Sequence, residues 1–315
     1  MKRILILHYS QTGQLNRAVK SMVAPLEASG TFEVVWQELV PKKPYPYPWP
    51  VLDFFDVFPE SVYLDPPELK PLESIKDRDF DLILLAYQVW FLSPSLPITA
   101  FLKSEEAKKI LKDKPIITFI ACRGMWLCGH DKVKSMLQAR GAKLIDNVVL
   151  VDQGPPWATF VTTPRWLLTG KKGGFWGIFP PAGVSDKDID GASRFGKALV
   201  DARNRIDKDL HSPLLKGLGA VKVNPRYIAG EKMVHRSFYI WGKLFRSIGK
   251  PGHPLRRMML IIYIMFLITM ILTVMPLGVI IRFIMRPFME KKLQSKVRKL
   301  EEPSGSSTER VTDYV

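Results

Sequence analysis

The sequence predicts an α/β protein built on a doubly wound, five-stranded parallel sheet. Three observations point there. Continuous apolar runs at Ile4–Leu7, Phe80–Ala86 (FDLILLA) and Pro115–Ala121 (PIITFIA) have the character of strands buried on both faces. Each is followed by a short loop and then a helical pattern, the alternation that builds parallel sheets. A ligand of such a sheet lies beyond the C-terminal ends of the strands, so the loops at 10–14, 87–97 and 122–126 should share one rim.

The first unit is KRILILHYSQTGQLNRAVK, residues 2–20. A strand at Ile4–Leu7 leads into the polar loop Ser10-Gln11-Thr12-Gly13-Gln14, and a helix runs from near Leu15 to near Gly30. Hydroxyls and free N–H groups at a helix N-terminus favour a phosphate. The competing reading is a turn and helix cap without a ligand. Phe32–Glu38 alternates as a second strand.

Residues 41–72 are Pro-rich and interleaved with Tyr45, Tyr47, Trp49, Phe54, Phe55 and Phe58. Proline excludes a long helix there, so a short helix at about 51–58 within an extended loop is expected, packed on the domain or roofing an apolar substrate. After the strand at 80–86 come the loop 87–97, a helix at 98–111, the strand at 115–121 and the loop 122–126. A helix at 131–140 and a closing strand at 147–151 complete the sheet. Residues 152–184, rich in Pro, Gly and aromatics, read as a second cover with one short helix at 164–168. Ser185 then caps a helix reaching about Ile206. Asp186-x-Asp188-x-Asp190-Gly191 opens like a calcium loop, but Lys197 stands where the bidentate Glu belongs, which rejects calcium. No metal site is expected.

Residues 208–315 carry 19 Lys and Arg against 7 Asp and Glu, most of the net charge of +16. This basicity surrounds an apolar run, which points to anionic lipid and away from a nucleic-acid groove. Residues 208–257 read as a basic linker without a clear core pattern. Within it, 236–248 puts Phe238, Trp241, Phe245 and Ile248 on one helical side, either against a membrane interface or against the domain. Met258–Ile281 gives 24 residues without a charge, enough to span a bilayer core of about 30 Å. Pro276-Leu277-Gly278 leaves open a re-entrant path, so 258–285 either spans or re-enters. Residues 286–315 are expected to begin as a charged helix and end disordered. The N-terminus has too short an apolar stretch for a signal peptide, and Cys122 and Cys128 give no disulfide framework. Residues 1–207 are therefore expected at the cytoplasmic face of the cell membrane, anchored from the C-terminal side.

Ser10-x-Thr12-Gly13 resembles the phosphate loop of flavodoxins and flavodoxin-like reductases, Ser/Thr-x-Thr-Gly-x-Thr, departing from it at Leu15. The stretch 87–97 (YQVWFLSPSLP) resembles the isoalloxazine loop of flavodoxin-like quinone reductases. The resemblance implies the strand order 2-1-3-4-5 and FMN as cofactor. It implies flavin contacts from Ser10, Gln11, Thr12, Gly13, Gln14 and Leu15, from Gln88, Val89, Trp90 and Phe91, and from Ala121, Cys122, Arg123 and Gly124. More widely, HYSQTGQL, PYPYPW, YQVWFLSPS, RGMWL, WLLTGKK and GIFPPAGVSD are similar to the dialkylresorcinol condensing enzyme family of dialkylresorcinol and flexirubin-type pigment clusters, over roughly residues 1–206. That similarity implies an FMN-dependent step in which a dialkyl cyclohexanedione, made by a ketosynthase partner with an acyl carrier protein, is aromatised.

The residues favour oxidation over condensation. A condensing site needs an activated Cys with His and Asn, and nothing near Cys122 or Cys128 supplies that set. Aromatisation removes two electrons and two protons, for which a flavin is an acceptor and the protein needs orientation and one base. Tyr87, Arg123 and His130 are the candidate catalytic residues, Arg123 for negative charge on reduced flavin or an enolate. The alternatives are an NAD(P)H-dependent quinone reductase and, as non-enzymes, a membrane-bound flavin electron carrier or a flavin-free scaffold. A lipophilic substrate, membrane lipid and a homodimer complete the expected partners.

Overall fold

The computed structural model describes residues 1–315 except 77, 207–209 and 315, and side chains except those of 275–292. Among the described residues six strands form: β1 (Lys2–His8), β2 (Phe32–Glu38), β3 (Leu82–Trp90), β4 (Ser93–Pro94), β5 (Pro115–Cys122) and β6 (Lys143–Val151). Five are parallel in the order β2-β1-β3-β5-β6, and β4 pairs antiparallel with the end of β3. The central strands are buried throughout Ile4–Leu7, Leu82–Tyr87 and Ile116–Ile120, as continuous apolar runs require.

Helices α1 (Gln14–Ala28), α2 (Val51–Asp56), α3 (Phe58–Tyr63), α4 (Leu96–Lys103), α5 (Glu105–Leu111) and α6 (Leu127–Ala139) precede β6. After it come α7 (Pro156–Thr169), α8 (Asp186–Asp190), α9 (Ser193–Asp201), α10 (Pro225–Ile248) and α11 (Pro254–Glu301). Helix α1 packs on α9 so closely that a Cβ on Gly196 would stand 1.9 Å from the Met22 carbonyl oxygen.

Several expected elements differ. The helix at 98–111 is two, because Ser104 ends α4 and its hydroxyl accepts from the Ala107 N–H to cap α5. The short helix at 51–58 is the pair α2 and α3, whereas the one at 164–168 is the full α7, which keeps Pro164 in its interior. Of the two readings of the apolar side of 236–248, the structure has the one packed within the protein. Phe238, Trp241 and Phe245 pack with Phe58, Tyr263 and Phe266, while Met233, Ile240 and Leu244 are exposed.

The largest difference lies beyond residue 209. Leu210, Leu214, Leu215, Leu218, Val221 and Val223 join the main core, and Val149 donates its N–H to the Ala220 carbonyl. The expected disordered tail is ordered through Tyr314. Ser304 is buried and Lys197 Nζ donates to the Tyr314 carbonyl at 2.8 Å. A sheet edge presents unpaired backbone groups, and here two returning segments cover β6. The re-entrant bend proposed at 276–278 lies outside the described side chains, within the α11 backbone.

Glu231 ties α10 to the sheet domain. It is buried, and its carboxylate accepts from the Cys128 N–H at 2.6 Å in the first turn of α6. Burial pushes its pKa from 4.5 up to about 7, with hydrogen bonds from Cys128 opposing. The folded chain therefore holds this proton more tightly than the unfolded chain. Its stabilising contribution is complete below about pH 4.5 and is lost as the pH rises through about 7, amounting to roughly 3 kcal/mol at about 1.4 kcal/mol per unit. Glu231→Gln is expected to flatten that decline, which urea denaturation midpoints at a series of pH values would measure.

Candidate functional site

The register gathers the rim. Gln88 of β3 lies beside Ala121 of β5, and Cys122 lies beside Val151 of β6. Above them is a cavity of about 110 Å³ whose walls include Gln11, Thr12, Gln14, Leu15, Gln88 and Trp90. Val89, Ala121, Cys122, Arg123, Asp152 and Trp166 also line it.

Gln11, Thr12, Gln14 and Leu15 of the loop after β1 line it, whereas the expected contacts Ser10 and Gly13 lie off the lining. Gly13 adopts a left-handed φ of 77° as α1 begins, and α1 has no side-chain cap. Ser10 Oγ and Thr12 Oγ1 are buried and have no partner. Buried hydroxyls in native proteins are almost always satisfied, so two orphans at a helix N-terminus match the donor set that a phosphate needs. The flanking glutamines are engaged instead with the covers. Gln11 donates its N–H to Gln88 Oε1 (2.9 Å) and its side-chain amide to the Pro46 carbonyl (2.7 Å), and accepts from the Tyr9 hydroxyl. Gln14 makes a two-way amide pair with Val184, accepting from its N–H at 2.9 Å and donating to its carbonyl at 3.1 Å.

Both aromatic segments thus close on this loop. The first is pinned at its base by a bridge between Pro41 and Leu69, and it meets the second where the Trp49 N–H donates to the Leu167 carbonyl. Trp90 stands edge-on to Tyr9, Tyr45 and Trp49, with ring centroids 5.1–5.9 Å apart. The volume is below the ~300–1,000 Å³ of a formed ligand pocket.

Phe91 departs from expectation. Residues 91 and 92 have φ of 47° and 58° and reverse the chain so that Trp90 pairs with Ser93. A two-residue hairpin with both central residues left-handed swings its side chains away from the preceding strand's path. Phe91 accordingly joins Phe54, Phe55, Phe58 and Phe238, outside the cavity lining. Gly124 also lies off the lining, with Tyr227 3.0 Å from where a Cβ would stand.

The three candidate catalytic residues separate. Arg123 lines the cavity with its guanidinium 4.1 Å from the Phe160 ring centroid. Tyr87 and His130 are buried below the rim and bonded to each other, hydroxyl to Nδ1 at 3.0 Å, and neither lines the cavity. Burial lowers the His130 pKa to about 3, so the ring is neutral near pH 7. The carboxylate at the wall is Asp152, whose pKa burial raises against hydrogen bonds from Gly154, Gly183 and Thr163. It went unassigned in the sequence because it lies one residue past β6, at the start of what read as a cover. The signal was there: each other parallel strand near the cavity also delivers its site residues just beyond its apolar run.

No family profile matches the chain, and no curated protein does. Solved structures do. A flavoprotein from Lactobacillus acidophilus NCFM, in complex with FMN, is 20% identical over 47% of this chain and 93% of its own, with a TM-score of 0.39. A flavodoxin from the domain Archaea is 12% identical over 65% of this chain and 99% of its own, at 0.35. Flavodoxin 1 from Bacillus cereus is 15% identical over 64% and 98%, at 0.34. The fold is flavodoxin-like. That statement rests on the strand order 2-1-3-4-5 of the parallel sheet itself, with the loop at the end of the first strand turning into α1.

Proposed function

We propose that the chain is an FMN-dependent oxidoreductase, tethered at the cytoplasmic face of the cell membrane, that aromatises a dialkylated cyclohexanedione to a dialkylresorcinol. The observation that carries the flavin is the pair of orphan hydroxyls, Ser10 Oγ and Thr12 Oγ1, at the start of α1. Ser10 and Thr12 hold the phosphate, with Gly13 allowing the tight entry into the helix. Gln88, Val89, Ala121 and Cys122 present the strand ends to the ring system. Trp90 and Trp166 exclude water from it.

When bound, the flavin supplies the two-electron acceptor that aromatisation requires. Arg123 stabilises negative charge on the enolised diketone. Asp152 is the carboxylate placed to take a proton, and its raised pKa moves it toward the range useful for that task. Tyr87 and His130 act as a buried support beneath the rim.

A lipophilic substrate fits the covers. Ring contacts run from Trp90 through Trp49, Phe54, Phe91 and Phe58 to Tyr263 at the start of the apolar helix, each 5.0–5.9 Å from the next. An alkylated ring partitioned into lipid would reach the cavity along that apolar path. The diketone would come from a ketosynthase working with an acyl carrier protein.

Purified full-length protein is expected to carry visible flavin absorption. A colourless protein that gains none when FMN is added would remove the proposal. Anaerobic addition of a dialkyl cyclohexanedione should bleach the flavin with formation of the resorcinol. Bleaching by NAD(P)H alone, with quinone as the oxidant that restores colour, would assign the site to quinone reduction.

A further inference from the structure

We infer that the apolar segment of α11 embeds in the membrane from one side, as a monotopic anchor, and that the chain after it returns to the same domain that precedes it. The inference rests on the membrane association proposed above and on no part of the flavin chemistry.

Both flanks of the run are fastened to one globular body. On the N-terminal side, Arg256 is buried and paired with Asp56 (2.6 Å) and Glu60 (2.5 Å) of α2 and α3, and Arg257 pairs with Asp53 at 2.9 Å. The Tyr263 ring stacks on Phe58 with an interplanar angle of 14°.

The C-terminal side is fastened to the same domain at β6 and the 210–223 segment. Leu293, Val297 and Leu300 pack on the main core. Glu301 Oε1 accepts from the Val223 N–H at 3.0 Å. Ser304 donates to Asp146 Oδ1 and accepts from the Asn147 N–H, both at 2.7 Å, at a position with no exposed surface. Gly219 and Val221 donate to the carbonyls of Ser307 and Gly305. The Ser304 bonds reach β6 itself, and the others tie the tail to the 219–223 segment whose Ala220 carbonyl accepts from Val149 of β6.

A segment whose two ends are bonded to one domain keeps both ends on that domain's side of a bilayer, whatever path it takes between them. A single crossing would carry the tail to the far side. It would strip Ser304 from Asp146 and reopen the β6 edge, exposing unpaired backbone groups.

The surface and the charges agree with this. Met258, Ile261, Ile262, Met265, Ile268 and Leu272 of α11 are each more than half exposed, and only 11% of the most apolar window of this helix is buried in protein. Contiguous exposed apolar area of this kind calls for a cover. In the sequence the run is followed by Arg282, Arg286, Lys291 and Lys292, while before it Arg256 and Arg257 are already paired with carboxylates of the domain. Positive residues favour the cytoplasmic side, so the four that follow the run favour keeping its far end on the side of the domain that holds its near end. The occupant is a lipid bilayer with an anionic surface.

The test uses the full-length chain in cell membranes, with Lys187→Cys on the sheet domain or Thr312→Cys on the tail. Both positions are exposed. A membrane-impermeant maleimide is applied to inverted vesicles and to intact spheroplasts, with the parent chain as the blank for Cys122 and Cys128. Both introduced cysteines are expected to label in inverted vesicles and neither in spheroplasts. Labelling of Thr312→Cys in spheroplasts alone would overturn the inference. Flotation with vesicles containing anionic lipid is the second arm: a chain that stays in solution as a dimer has its apolar face covered by a second copy, and the inference then fails at membrane association. Neither arm reads flavin, so a colourless protein with both cysteines on one side would remove the proposed function and leave this inference standing.

Discussion

Replacing Ser10 and Thr12 together by alanine is expected to weaken FMN binding by roughly 10²- to 10⁴-fold while leaving the fold unchanged. The two hydroxyls are buried without a partner in the folded chain, so removing them breaks no internal hydrogen bond. Each would give a phosphate a charge-assisted bond worth about 1.5–3 kcal/mol, and about 1.4 kcal/mol corresponds to tenfold in affinity. Fluorescence titration of the double variant with FMN, beside a denaturation curve, measures both parts. Unchanged affinity would show that these orphans await something other than the cofactor. Leu15 sharpens the expectation, since it is fully buried where flavodoxins carry a further hydroxyl. With one contact fewer, the remaining two carry more of the binding.

How far the sequence was legible follows the physics of each element. Strands β1, β3 and β5 could be read because burial on both faces leaves an unbroken apolar run, and the loop 10–14 could be read as a turn into α1 because Gly13 takes the left-handed φ that entry requires. The hairpin at Phe91-Leu92 could not. Neither residue favours a left-handed φ, which normally selects Asn or Gly, and the turn is held by the aromatic cluster that Phe91 joins. That tertiary override moved one expected flavin contact out of the cavity. His130 reads alike in sequence whether it faces solvent or the core, and only its bond to Tyr87 decides. The two covers were legible as covers from their prolines and aromatics, but the glutamines that fasten them to the loop were not, because Gln11 and Gln14 find their partners 35 and 170 residues away.

The tail was illegible for the same reason in stronger form, and it carries the largest expected effect on stability. Residues 301–314 are polar and low in aromatics, the composition of a disordered end, yet they dock on the domain, with the buried carboxylate of Asp146 shared between two segments. Asp146 sits in β6 with no exposed surface, and it accepts from the Leu214 N–H (2.7 Å), the Leu215 N–H (3.3 Å) and the Ser304 hydroxyl (2.7 Å). Asp146→Ala would leave three donors from two separate segments without an acceptor. At about 1–3 kcal/mol for each unsatisfied buried group, softened by water entering the gap, the expected loss is roughly 3–5 kcal/mol. Ser304→Ala removes one of the three donors to the carboxylate and orphans the Asn147 N–H that the hydroxyl accepts from, so it should cost about 2–3 kcal/mol. The ratio matters more than either value. If the 210–223 segment and the tail are one cooperative cover over β6, amide exchange in Val148–Val151 should quicken in both variants, and far more in Asp146→Ala. Equal effects would mean that the tail alone guards the edge. Since the same tail closes the chain after the apolar helix, Asp146→Ala is also the substitution that would free the far end of the anchor from the domain, and limited proteolysis after Lys299 would register that release.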